Sequence, residues 1–170
     1  TRTALISAGF LECFWPFAAP HFCFLDNTST LRSDGTVDPE GSPYNKAHRK
    51  REPKVARLPF GCEVIFFPTS TKGQPHEKWG GTGEVGVLAG YHMKPGYQWA
   101  GEYLCWSLRE LVGINMHQKA EKYPSRLRSP HVVGRVALPE GRVIRFPLKQ
   151  EYERQRHPIE GLRAVDSDGV

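Results

Sequence analysis

Glu84-Val85-Gly86-Val87-Leu88-Ala89-Gly90-Tyr91-His92-Met93-Lys94-Pro95-Gly96-Tyr97-Gln98-Trp99-Ala100-Gly101-Glu102-Tyr103-Leu104-Cys105-Trp106-Ser107-Leu108 is the stretch that decides the fold. Two runs rich in aliphatic and aromatic residues flank Pro95-Gly96, a turn pair, so the stretch predicts a β-hairpin. The glycines in the first run suit a bend or a close backbone approach. Leu104 and Trp106 share one face by the period-two rule, as do Val85 and Val87.

The same texture continues on both sides. Upstream, Gly61-Cys62-Glu63-Val64-Ile65-Phe66-Phe67 reads as a strand closed by Pro68, with Val64 and Phe66 on one face. A polar loop over 69–82 carries Lys72, Lys78 and Trp79. Downstream, 113–130 is polar and basic, read as a loop. Then 131–138 and 142–147 flank Pro139-Glu140-Gly141, which predicts a further hairpin. Three antiparallel strands are expected over 59–108, burying Val64, Phe66, Val85, Val87, Leu104 and Trp106. Five short strands with Gly/Pro turns fit a small antiparallel barrel. A helical turn is expected at 149–155, and a tail that frays from 163.

Composition agrees. The chain has 170 residues, enough for about one domain. It is 39% hydrophobic and holds 17 glycines and 14 prolines, which excludes a coiled coil or a long-helix protein. No window is apolar over 18 residues, so no membrane-spanning helix is expected. The net charge of +5 attracts polyanions but falls short of a histone-like excess. Cys13, Cys23, Cys62 and Cys105 form no CxxC pair and no finger spacing, so they read as buried reduced thiols. No secretory signal is visible, and the start at Thr1-Arg2-Thr3 suggests a piece of something longer.

The N-terminal part has a different character. Gly9 suits a helix C-cap after Ala4-Leu5-Ile6. The run from Glu12 to Leu25 predicts a second short helix, with Pro16 tolerable in its first turn and Pro20 expected to kink or break it. Its Phe and Trp content requires a covering surface, which a partner could supply. Residues 28–58 read as a flexible linker of turn and breaker chemistry whose second half is basic: Lys46, Arg49, Lys50, Arg51, Lys54 and Arg57 against one acid, Glu52.

These pieces, in this order, resemble the copia-type retrotransposon polyprotein. Ala8-Gly9-Phe10-Leu11-Glu12-Cys13-Phe14-Trp15, then Ala18-Ala19 and Leu25-Asp26-Asn27, is similar to the end of that family's integrase core. Pro59-Phe60-Gly61-Cys62 matches its strand entry, and Lys78-Trp79 with Gly86-Val87-Leu88-Ala89-Gly90-Tyr91 matches its lysine-rich loop and apolar strand. The resemblance covers 3–108. It implies a helical remnant of the integrase core at 1–27, the linker at 28–58, an SH3-like β domain with a C-terminal hairpin at 59–162, and a tail at 163–170. The expected class is mainly β with a short helical N-terminal segment: an SH3-like antiparallel barrel plus an extra β-hairpin. The resemblance also implies an intracellular, nuclear setting.

The family's enzyme joins element DNA to target DNA. It needs three carboxylates holding Mg²⁺, because two metals clamp the attacking and leaving oxygens. Upstream of Leu58 the acids are Glu12, Asp26, Asp34, Asp38, Glu40 and Glu52, and none matches the family's catalytic positions. No Ser/His/Asp, P-loop or GxGxxG pattern appears, and no cofactor or metal is expected. The chain reads as a non-enzymatic fragment that binds nucleic acid without sequence preference, or as a subunit recruited into a protein complex.

The candidate phosphate contacts are Lys46, Arg49, Lys50 and Arg51 in the linker and Lys119, Lys122, Arg126 and Arg128 in the later loop. The plainer reading of each group is a solvated charged loop. Trp79 and Trp99 are the candidates for an exposed aromatic rim. The other rings, Tyr91, Tyr97, Tyr103 and Trp106, serve equally well as core.

Overall fold

The structure is a computed structural model that describes residues 2–32, 34–49, 53–67, 83–113, 127, 129–151, 153 and 154. Its centre is the hairpin of β2 (Glu84–Lys94) and β3 (Gln98–Ser107). With β1 (Glu63–Phe66), β4 (His131–Val133) and β5 (Val136–Ala137) they form one antiparallel sheet, ordered β4-β3-β2-β1-β5. Leu88 pairs with Cys105 but Gly90 pairs with Leu104, so Ala89 is an extra residue, a bulge that bends the strand.

β4 and β5 are adjacent in sequence yet lie on opposite edges of the sheet. Only Gly134 and Arg135 separate them. Three extended steps span at most about 11 Å, so the sheet curls until its edges nearly meet. No ladder joins β4 to β5 among the described residues. The expected extra hairpin is therefore corrected. His131–Val133 and Val136–Ala137 pair with β3 and β1, and 142–147 contributes no strand. Pro139 and Pro147 lack the N–H that a ladder needs, and a 3-10 turn occupies Glu140–Arg142. One backbone bond, Glu63 N–H to Arg145 C=O at 2.8 Å, ties the segment to the edge of β1. Residues 147–151 are helical, opening two positions earlier than expected.

Both faces of the sheet are covered. One cluster, the inner one, holds Val64, Phe66, Leu88, Tyr91, Cys105 and Val133. The outer cluster sets Val87, Ala89 and Trp106 against Leu5, Phe10, Phe14 and Ala18. Val64, Phe66, Val87 and Trp106 are buried as expected, and Leu104 is half-buried. Val85 is not: it shares the outer face with Val87, but lies beyond the helical cover and is 41% exposed.

That cover is built from α1 (Arg2–Ala8), a 3-10 turn (Glu12–Phe14) and α2 (Trp15–Asn27). Gly9 ends α1 at φ 74°. An L side chain is strained there, and a methyl would also run into the Lys149 backbone. α2 is continuous through Pro20, contrary to the expected break. Pro20 forfeits one ladder bond, while Ala18, His21 and Phe24 hold the helix to the sheet. The surface that covers these apolar helices thus lies in the same chain, although Trp15 and Phe22 still point outward. No helix among the described residues is long and apolar enough to cross a membrane.

Residues 28–58 are more than a connection. Leu31 and Val37 form an isolated bridge, and α3 (Pro43–His48) buries Tyr44 in the inner cluster. The cysteines divide: Cys62 and Cys105 are buried, Cys13 is half-buried and Cys23 is exposed, which corrects the expectation of four buried thiols.

Candidate nucleic-acid interface

Ser42 starts α3 by accepting a hydrogen bond from the Asn45 N–H at 3.2 Å, with Pro43 in the first turn. Arg49 ends it in the left-handed conformation, φ 49°. Between them Tyr44 points inward. Its hydroxyl accepts from the Trp99 N–H at 3.0 Å, and its ring lies 4.5 Å from that of His48. This contact brings Lys46, His48 and Arg49 to the start of β3.

Trp99 is not an open rim. It is half-buried, with Nε1–H donating to the Glu102 carbonyl at 2.9 Å and its ring against Tyr103 and Phe24 at 5.7 and 5.9 Å. Tyr91, Tyr103 and Trp106 are core residues, and Tyr97 is the exposed ring. Trp79, Lys50, Arg51, Lys119, Lys122, Arg126 and Arg128 lie outside the described residues.

Lys46 and Arg49 differ electrostatically. Lys46 Nζ lies 2.8 Å from Asp38 and 3.3 Å from Glu40. The bond from Lys46, aided by the Glu40 N–H, holds the Asp38 carboxyl down to about 2, and the same carboxylate raises Lys46. Arg32 reaches Asp38 too, at 3.3 Å. The charge of Lys46 is therefore already partly answered within the chain. Arg49 is exposed and makes no ion pair among the described residues, as is true of Lys54, Arg109, Arg135 and Arg145. Arg57 has another task. Its guanidinium donates to the Leu25 and Thr28 carbonyls at 2.6 and 3.1 Å, capping the C-terminus of α2.

A second polar group went unread in the sequence. Ser107 Oγ donates to Glu84 Oε1, and the Ser107 N–H donates to Glu110 Oε2 at 2.9 Å. Glu110 also meets His131 Nε2 at 3.1 Å. Ser107 caps α4 (Leu108–Leu111) through a capping box, and Ser107-x-x-Glu110 was its signal. The network joins β2, β3 and β4 without placing His131 on Ser107 Oγ, so it holds strands together and forms no nucleophile–base pair. No group of three or more His, Cys, Asp or Glu side chains among the described residues is placed to hold a metal ion.

No family model matches this chain, and no curated protein or solved structure matches it.

Proposed function

We propose that the chain is a catalytically incomplete, copia-type integrase tail: an SH3-like barrel that binds nucleic acid through phosphate contacts. One observation carries the binding. Of the acids, Glu12, Asp38, Glu40, Glu102, Glu110, Glu151 and Glu153 are engaged with cationic or histidine partners. Arg49, Lys54, Arg109, Arg135 and Arg145 stand exposed without an acid partner among the described residues. Asp26, Asp34, Glu63, Glu84 and Glu140 also lack a cationic partner there, so the support is the chain's net +5 together with these exposed cations, free to meet an external polyanion. The near meeting of the sheet's edges through Gly134-Arg135 supports the barrel.

The test is a fluorescence-anisotropy titration with duplex oligonucleotides of two unrelated sequences. Affinity should be equal for both and fall about a hundredfold between 50 and 200 mM salt if about four phosphates are contacted. Replacing Lys46, Arg49, Lys50 and Arg51 with Gln should flatten that slope. No measurable binding at 50 mM salt would discard the reading. A second reading, a non-enzymatic subunit recruited into a protein complex, then takes its place, favoured by the outward Trp15 and Phe22 of α2, 49% and 51% exposed.

A further inference from the structure

α2 runs from one core to the other. Ala18 belongs to the outer cluster and Phe24 to the inner one. Between them His21 fills the seam, 4% exposed. Its ring stacks on Tyr91 at 5.0 Å and meets the edge of Phe60 at 5.7 Å. Gly90 runs directly under the helix: a methyl there would lie in ordinary contact with His21 Cβ, at 3.7 Å. Nδ1 of His21 is a buried polar atom with no partner. A buried group left unpaired has a stability cost, and it asks for a reason.

We propose that His21 is an acid-sensitive latch between the N-terminal helices and the sheet: a proton on its ring frees residues 2–24 while the strands stay paired. Beyond one backbone hydrogen bond at Leu58, the described surroundings give an imidazolium no charged partner. From the segment before β1 come the Phe60 ring and the Leu58 backbone. From β2 comes the Tyr91 phenol, and from β3 the Tyr103 phenol beside it. Asp26, on the same helix, is five positions on, which turns it well away from His21, and it is exposed. No carboxylate among the described residues is hydrogen-bonded or ion-paired to His21.

The direction follows from linkage. Burial holds the His21 imidazole down to about 4, opposed by a backbone hydrogen bond at Leu58. Released into water, the ring takes its proton near 6.5. Between those values the open form binds one proton more than the closed form, so acid favours opening. The opening constant should rise by up to tenfold per pH unit, about fortyfold in all from pH 6.5 to 4.5. The strands can survive this opening because most of the inner cluster is made by the strands themselves.

Hydrogen exchange read by mass spectrometry tests the latch on the intact chain. After correction for intrinsic rates, protection of 2–24 should fall steeply from pH 6.5 to 4.5, while 98–107 stays protected. In His21→Gln, which keeps a donor for the Leu58 backbone, protection of 2–24 should become nearly independent of pH in that window. Equal loss in both segments would mean global acid unfolding and overturn the proposal. So would an unchanged pH dependence in the variant. Should the variant not fold, the NMR titration of His21 in the unaltered protein decides: a midpoint near 6.5 overturns the latch, and one depressed towards 4 supports it.

Discussion

Phe14 meets Trp106 edge to face, with ring centroids 5.3 Å apart and planes at 77°. One ring comes from the turn before α2 and the other from the end of β3, so this pair fastens the helical layer to the sheet. Phe10 and Phe17 approach the same indole at 5.7 and 4.9 Å. Phe14→Ala leaves a cavity among fully buried rings and should lower stability by about 3–5 kcal/mol. Denaturant titration followed by tryptophan emission measures the loss. A change below 1 kcal/mol would show that the layer is not packed as described.

Asp38 holds Lys46 Nζ at 2.8 Å. Asp38→Asn removes the carboxylate that pairs with both Lys46 and Arg32. If Lys46 contacts nucleic acid, the variant should bind more tightly, and its slope of log K against log salt should steepen by up to about 0.9 per cation released. The same titration series reads this out. An unchanged slope would separate α3 from the contact surface.

Arg57 belongs to the basic run by sequence but to α2 by structure. Arg57→Ala removes two hydrogen bonds to the last carbonyls of the helix and should cost about 1 kcal/mol, discounted for its exposure. The salt slope should stay the same. A loss of slope without a loss of thermal stability would reverse the assignment.

Catalysis is the fourth expectation. With Mg²⁺ or Mn²⁺ the purified chain should neither cut nor join DNA. Metal-dependent strand transfer that survives repurification and vanishes on changing one carboxylate would contradict the proposed function.

The sequence displayed the strands well and their surroundings poorly. Val64/Phe66 and Leu104/Trp106 alternate, and alternation is a local signal. Nothing local says that Trp106 faces helices while its neighbour Cys105 faces the inner cluster. β2 is buried on both sides, so its near-continuous apolar run carries no mark of which face meets which core. The Glu84–Ser107 and Glu110–His131 contacts join residues far apart in sequence, beyond the reach of spacing. Lys46 looked free because its acids, Asp38 and Glu40, lie in a stretch read as solvated turns. Arg57 looked like one more linker charge because the carbonyls it caps lie a whole segment upstream.

The Gly134-Arg135 link has a consequence for the order of assembly. β4 needs β3 as its template and β5 needs β1, and those templates are held in place, one on each side of β2, only after β1, β2 and β3 have paired. The pairing of β5 with β1 also closes a long loop, a slow step because the entropy is lost before the contact forms. Residues 131–137 are therefore a clasp that shuts last. Lengthening the link would slacken the clasp and leave the meander of β1, β2 and β3 to form as before, so it should speed unfolding far more than it slows folding.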